Sequence, residues 1–232
     1  MRFTLTTLFS LVFLISFGQN FKYPTIIKSG KQAIDFIPKG WTILDSAQGD
    51  LNKDGLADKA IILQTQNKYT LENDEQEQVE TQPRILVILF KDPLQNGYKV
   101  VCQSNSFIPK EDHPNMDEVY QTISVEKGIL NIKLQQFYTI GSWYLTNISY
   151  KFRFQNNSFA LIGADHYSMH RASLDFEEHS YNFLTRKRVV TKGNANKAAK
   201  KSSSSTITFT ELKTLDSLKK AFDWAVEEDV YL

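Results

Sequence analysis

The ten residues GDLNKDGLAD contain oxygen donors at a spacing that suits a hard cation. Asp50, Asn52 and Asp54 stand two residues apart, at positions 1, 3 and 5 of a loop. Leu56, at position 7, offers its backbone carbonyl, and Asp58, at position 9, can bind directly or through a water molecule. Because Ca²⁺ takes about six to eight oxygen ligands, the spacing predicts a structural calcium site formed by these residues.

Two features separate this loop from an EF-hand. Position 12 is Ile61 rather than the bidentate Glu of an EF-hand, and the residues from Lys59 onward have the apolar pattern of a strand rather than a helix. Gly55 stands at position 6, where the chain must turn sharply. The missing carboxylate predicts a modest affinity, toward the ~10⁻⁴–10⁻³ M of extracellular modules. The alternative is a polar hairpin loop in which Asp, Asn and Gly serve only as turn formers.

The motif D-L-N-K-D-G-L-A-D-K-A-I-I-L resembles the calcium loop of the integrin-type FG-GAP and VCBS families, in which D-x-[DN]-x-D-G-x-x-D joins two β-strands. The resemblance covers about fifteen of the 232 residues and occurs once in the chain. It implies that Asp50, Asn52, Asp54, Asp58 and the carbonyl of Leu56 are the calcium ligands. It does not imply the propeller that repeated copies build in those families.

A second group of candidate ligands combines His166, His170 and His179 with Glu177 and Glu178. On a helix, the first two histidines would share a face, as in a zinc site. The segment alternates as a strand, however, and at ~3.3 Å per residue this separates them by about 13 Å, too far for one metal ion. The pattern therefore predicts surface histidines.

The remaining candidates are weaker. No nucleophile elbow, zinc-protease, P-loop or dinucleotide-binding motif is present in the sequence, so no catalytic residue and no organic cofactor is predicted. Trp143 and Tyr144 begin a predicted strand, where packing is favoured over sugar or peptide binding. Cys102 lies on a predicted strand, which favours a buried, inert thiol over a reactive one.

The first 18 residues have the pattern of a secretory signal peptide. Arg2 precedes an apolar run, and Ser16 and Gly18 are small residues at a cleavage site before Gln19. The apolar run is shorter than the ~20 residues that a membrane span needs, which disfavours an uncleaved anchor. We therefore expect a secreted or periplasmic protein with no membrane span.

The elements that position the loop are predicted to be β-strands. RILVILF is a continuous apolar run, typical of a central strand buried on both faces, and TISVEKGILNIKLQQF alternates on both sides of Lys127-Gly128, as a hairpin does. Successive strands with short turns predict a mainly β fold. The expected fold is an antiparallel meander that closes as a curved sheet, a sandwich or a barrel, with a short C-terminal helix.

These patterns divide the chain into four parts. The signal peptide, residues 1–18, is followed by a β-rich domain, residues 19–191, which contains the calcium loop 50–58. Low complexity and positive charge predict a flexible linker at 192–205, and residues 206–232 form a strand and helix segment. Within the domain, residues 67–82 are acidic and almost without apolar residues.

We expect this acidic stretch, 67–82, to be an exposed and mobile loop. In the last segment, an apolar face at helical spacing predicts a helix that docks or binds a partner; its residues are Leu212, Leu215, Leu218, Phe222 and Ala225.

Composition limits the classes of function. The formal charge is +1, which selects neither nucleic acid nor an anionic membrane as partner. The sequence favours an exported, calcium-stabilised binding or interaction protein without catalytic activity, whose partner is another macromolecule such as a protein. The alternatives are an extracytoplasmic hydrolase with an unrecognised site and a structural component of the cell envelope.

Overall fold

The computed structural model of the protein describes residues 21–232. The predicted signal peptide, residues 1–18, and its cleavage site lie outside the described residues. The strands are β1 (Ser29–Gly30), β2 (Trp41–Gly49), β3 (Asp58–Thr65), β4 (Tyr69–Glu72), β5 (Gln78–Thr81), β6 (Arg84–Asp92), β7 (Gly97–Ser104), β8 (Tyr120–Glu126), β9 (Ile129–Phe137), β10 (Tyr144–Gln155), β11 (Ser158–His170), β12 (Asp175–Asn182), β13 (Lys187–Asn194), β14 (Lys200–Thr206), β15 (Ala225–Glu227) and β16 (Val230–Tyr231). A short 3₁₀ turn, Ala33–Phe36, and one α-helix, α1 (Leu215–Leu218), complete the elements of this part of the chain.

The prediction of a mainly β, antiparallel fold with a short C-terminal helix is confirmed. Every strand pairing within residues 21–232 is antiparallel. Strands β8 to β14 pair in chain order as a seven-stranded meander, here called the larger sheet. The smaller sheet has five strands in the order β1-β7-β6-β3-β2.

The two sheets share one apolar core. Residues of β3 and β6 with even numbers, such as Ile62 and Ile88, join a cluster with Ile132 and Tyr150 of the larger sheet. Odd-numbered residues of the same strands, Val87 among them, point away and pack into a second, smaller cluster. Strand β6 is therefore buried on both faces, as its continuous apolar run predicts.

Tight turns place successive strands of the larger sheet side by side. Lys127 and Gly128 have positive φ angles of 53° and 75°, and Asn156 and Asn157 have 50° and 58°. Two adjacent residues with positive φ match the right-handed twist of the strands that they join. The hairpin predicted at Lys127-Gly128 is present, and Asn156 and Asn157 form the turn of a second one, between β10 and β11.

The acidic stretch 67–82 is a hairpin rather than a mobile loop. Strands β4 and β5 pair within it, and Val79 and Thr81 are buried. Most of its remaining side chains are exposed, so apolar alternation is too weak to reveal the strands in the sequence.

The prediction of a flexible linker at 192–205 is wrong in the structure. Residues 192–194 end β13, and β14 pairs with β13 along its whole length. Every residue of β14 is exposed, because it is the edge strand of the larger sheet. An edge strand needs only backbone hydrogen bonds to its neighbour, and lysines on it discourage pairing with other molecules.

The C-terminal segment docks onto the core as predicted, although its helix is one turn long. Thr214 and Ser217 cap the first turn of α1 through reciprocal hydrogen bonds. Lys219 then takes a positive φ of 57°, which ends the helix. Leu215 and Leu218 are buried, and the chain finishes as the β15–β16 hairpin.

Candidate functional site

The acidic loop, residues 50–57, joins β2 to β3 at the junction of the two sheets. Gly49 and Asp58 are cross-strand partners, so they close the hairpin that carries the loop. A Cβ atom on Gly49 would lie 2.5 Å from Cγ1 of Val125 in β8. Only glycine permits this close approach, which presses the base of the loop against the edge of the larger sheet.

The first three predicted ligands come together through hydrogen bonds. Oδ1 of Asp50 accepts the amide of Asp54 at 3.1 Å, and Oδ2 accepts the amide of Gly55 at 2.9 Å. The side-chain amide of Asn52 donates to Oδ2 of Asp54 at 2.9 Å. The amide of Leu56 donates to Oδ1 of Asp54 at 2.8 Å. These five residues thus form one compact turn.

Asp58 differs from the other predicted ligands because its carboxylate faces the protein interior. It is fully buried, and its Oδ2 accepts the amides of Leu51 at 2.8 Å and Asn52 at 3.3 Å. Its Oδ1 accepts the amide of Lys91 in β6 at 2.9 Å. Burial raises the pKa of Asp58, while these backbone N–H groups act in the opposite direction. The carboxylate therefore ties the loop to the neighbouring strand.

The chemistry of the loop fits calcium better than a transition metal. All donors at its surface are oxygens, which a hard cation prefers. The carboxylate oxygens of Asp50 and Asp54 each accept a single hydrogen bond, so each retains a lone pair.

A second group of side chains that could hold a metal ion lies outside the acidic loop. Within residues 21–232, the group of three His, Cys, Asp or Glu side chains with ligand atoms within 4.8 Å of one another is Glu75, Glu77 and His113, not the loop. Nδ1 of His113 accepts the amide of Asn115. This bond leaves Nε2 as the only ring nitrogen of His113 that a metal ion could use.

A polar cleft lies on the larger sheet, on the same face as the apolar core. Strand β11 places Leu161 and Ala164 in the core, and its continuation places His166, Ser168 and His170 in the cleft. The cleft has a volume of about 1330 Å³. Its lining side chains are Gln136, Tyr144, Thr146, His166, Ser168, His170, Ser173, Asp175, Phe176, Glu177, His179, Arg188, Val190, Lys192, Gly193, Ser203, Phe222, Glu227, Glu228, Asp229, Val230 and Tyr231.

Two of the histidines are buried, so the prediction of surface histidines is wrong for His166 and His179. They are cross-strand partners with ring centroids 5.9 Å apart, and they are 9% and 5% exposed. Burial, together with the nearby His179, lowers the pKa of His166 to about 4. Nδ1 of His166 is buried without a hydrogen-bond partner. Both rings are neutral at pH 7, because burial also lowers the pKa of His179.

Glu177 organises the floor of the cleft. Its Oε1 bonds to Nε2 of His179 at 2.7 Å, and its Oε2 accepts Nζ of Lys192 at 2.6 Å. Nδ1 of His179 lies 3.1 Å from the hydroxyl of Tyr181. Burial raises the pKa of Glu177, but the bonds from Lys192 and His179 outweigh it, so the net shift is downward. The floor therefore holds a row of four bonded polar side chains.

The C-terminal hairpin forms one wall of the cleft. Glu227 of β15 pairs with Arg188 of β13, and Glu228 and Asp229 follow at the rim. The lining contains two cations, Arg188 and Lys192, and five carboxylates, at 175, 177, 227, 228 and 229. The cleft is therefore net negative, and both of its cations are already paired with a carboxylate.

Strand alternation alone places His166, Ser168 and His170 on one face, and this signal is present in the sequence. The register of β12 against β11 is what brings His179 and Glu177 beside them. That register depends on the turn after His170, which carries no strong sequence signal. The sequence therefore indicates the residues that β11 contributes to the cleft, but not those that β12 contributes.

Cys102 is free and half-buried in β7. Burial raises the pKa of its thiol to about 12, so the thiolate is scarce at neutral pH. This agrees with the prediction of an inert thiol.

No family model, curated protein or solved structure matches this chain. Within the part of the chain that the structure describes, no helix has the length and apolar character needed to cross a membrane.

Proposed function

We propose that this is an exported, calcium-stabilised binding protein and that its partner is held in the cleft of the larger sheet. The observation that carries the proposal is the cleft itself: it is polar and preformed, and its two cations are already bonded to Glu177 and Glu227. Concave sites with a few convergent polar groups are the usual place for ligands. The secretory pattern of the first 18 residues supports export.

Calcium enters the proposal through the acidic loop. Bound there, it would add a cation among the oxygens of Asp50, Asn52 and Asp54. The loop lies between the sheets, against Val125, so the ion would brace the junction from which the larger sheet extends. Its role is structural, and the chemistry of the cleft does not depend on it.

A binding role is favoured over catalysis by the hydrogen bonds of His179. A general base needs a free ring nitrogen directed at the substrate. Both nitrogens of His179 are engaged, one by Glu177 and the other by Tyr181. The Glu177–His179 pair nevertheless resembles a base with its orienting carboxylate, and it makes an extracytoplasmic hydrolase the second candidate.

Ligand-observed and amide-detected NMR tests the proposal. The chain from Gln19 onward, with millimolar calcium, is screened against amino acids, short peptides, nucleotides and oligosaccharides. Binders are expected to shift amides of β11, β12 and β13 around the cleft. Ser168→Trp fills the cleft and should abolish these shifts, whereas Ser180→Trp, on the opposite face of β12, should retain them.

Two results decide between the candidates. Equal binding by Ser168→Trp and Ser180→Trp would place the site elsewhere and contradict the proposal. Turnover of a bound compound that is lost in His179→Gln, with binding retained, would instead favour the hydrolase.

A further inference from the structure

Three aromatic rings stand at the rim of the cleft where β10 begins. Trp143 is 64% exposed and Tyr144 is 54% exposed. The ring of Trp143 stacks on His170 with centroids 5.9 Å apart at 23°, and Tyr144 meets the same imidazole edge-on at 5.2 Å. Ile140, which lines the neighbouring cavity together with Trp143, is 69% exposed as well. Clustered exposed apolar side chains mark binding sites, whereas single ones do not.

Arg171 holds in place the turn that carries Trp143 and Tyr144. The amide of Arg171 donates to the carbonyl of Trp143 at 2.8 Å, and its guanidinium donates to the carbonyl of Ser142. The same guanidinium lies over the ring of Phe137, 4.7 Å from its centroid. These contacts fix the backbone of the turn before β10, from which Trp143 and Tyr144 project.

The aromatic rim lies between two concave surfaces. Tyr144 and His170 line the large cleft, and Trp143 lines a second cavity of about 530 Å³ together with Ile140 and Arg171. A ligand that extends across the rim would contact both. The volume of the large cleft exceeds the ~300–1,000 Å³ of most small-molecule sites, which suits an oligomer better than a single small ring.

The polar lining discriminates among ligand classes. The two cations of the cleft are already neutralised by Glu177 and Glu227, and the lining is net negative, which disfavours phosphates and nucleic acid. The lining mixes donors such as Lys192 and Gln136 with carboxylate acceptors. A sugar hydroxyl both donates and accepts hydrogen bonds, and the C–H face of a sugar ring is apolar.

We propose that the cleft binds a neutral oligosaccharide, with one sugar ring stacked on Trp143 and further rings hydrogen-bonded along the cleft. This inference rests on the proposed binding function and specifies its ligand class. The indole of Trp143 supplies an apolar contact to one sugar ring at the rim. The donors and acceptors of the cleft lining form hydrogen bonds with the hydroxyl groups of the other rings.

Isothermal titration calorimetry with cellohexaose, maltohexaose, mannohexaose and chitohexaose tests the inference on the chain from Gln19 onward. At least one hexasaccharide should bind, and Trp143→Ala should weaken it by about tenfold or more. Trp143→Phe keeps a smaller ring and should weaken it less. Leu94→Ala removes another largely exposed apolar side chain, far from the rim in the β6–β7 turn, and should bind as the parent does.

The outcomes separate the ligand class from the binding function. If no hexasaccharide binds while peptides, amino acids or nucleotides shift the amides of the cleft, the oligosaccharide inference is overturned and the binding function stands. If a hexasaccharide binds equally to the parent and to Trp143→Ala, the rim is not its site and the inference is overturned. If no probe of any class perturbs the cleft, both proposals are overturned.

Discussion

The acidic loop and the polar cleft are both clusters of charged side chains, but they are assembled in opposite ways. The loop draws its predicted ligands from residues 50–58, and most of its hydrogen bonds join residues at most seven apart. The cleft joins residues from six strands of the larger sheet and the C-terminal hairpin. A cluster of residues that are close in sequence can be recognised from their spacing. A cluster that spans several strands forms only when those strands pair in the correct register.

The comparison also shows two ways of stabilising buried polar groups. In the loop, the buried carboxylate of Asp58 is satisfied by three backbone amides. In the cleft, side chains satisfy one another, and Nδ1 of His166 is left without a partner. The loop should therefore contribute more to stability, and the cleft should leave more binding capacity free.

The largest expected effect tests the interior end of the loop. Asp58→Ala leaves three amides without an acceptor, two in the loop and one in β6, and should lower the free energy of unfolding by about 3–5 kcal/mol. Urea denaturation with calcium chelated measures this loss without any contribution from the ion. Asp92→Ala removes a carboxylate that accepts one amide, that of Leu94, in the β6–β7 turn, and should cost less than about 1 kcal/mol. Equal losses in the two variants would show that Asp58 is not the anchor.

A pH effect tests the buried histidines of the cleft. The pKa of His166 is about 4 in the folded protein, below its unfolded value of about 6.5. The unfolded state therefore binds more protons between these values, so this contribution to stability is complete above pH 6.5 and is lost as the pH falls toward 4.

Between pH 7 and pH 5, the parent should lose about 1–2 kcal/mol of unfolding free energy through this group. The loss should shrink in His166→Gln and persist in His113→Gln, a control in the loop before β8. The shift of His179 has the same sign and adds to the parent's loss. A parent with no decrease in stability over this interval would contradict the burial of the pair.

Calcium should have a smaller effect. With a Kd near 10⁻³ M, about 10 mM calcium stabilises the folded state by roughly 1.4 kcal/mol. For a chain of this size, that raises Tm by about 3–6 °C. Asp50→Ala should abolish the rise, whereas Asp223→Ala, an exposed carboxylate outside the loop, should preserve it. Differential scanning calorimetry decides the matter, and an undiminished rise in Asp50→Ala would place the ion elsewhere.

The smallest effect is expected at the open end of the cleft. Lys192→Met removes the ion pair with Glu177, but 64% of the lysine side chain is exposed. Solvent screens such pairs, so unfolding free energy should change by less than about 1 kcal/mol. Lys192→Met should change the free energy of ligand binding in the cleft by more than it changes the free energy of unfolding. A loss of unfolding free energy as large as that of Asp58→Ala would show that the cleft contributes as much to stability as the loop does, which contradicts the comparison.

Much of the fold was predictable because strands that pack against the core have apolar residues at regular positions in the sequence. The apolar run of β6 and the alternation on both sides of Lys127-Gly128 each indicate their strands correctly. Among the strands that escaped prediction, β4 and β14 are almost wholly exposed and β5 buries only Val79 and Thr81, so no long apolar period marks them. In β14 the pairing depends on backbone atoms that every residue possesses, and composition alone suggested a linker.

The same division applies to the candidate sites. The sequence alone predicted the acidic loop, because its oxygen donors lie within nine consecutive residues and their spacing follows from the geometry of a single turn. It also determined that His166, Ser168 and His170 share a face, because strand side chains alternate. The folded structure was needed to show that His179 and Glu177 lie beside them, and that the C-terminal hairpin forms one wall of the cleft. Those contacts depend on strand register and docking, which are set by packing across the whole sheet rather than by any local pattern.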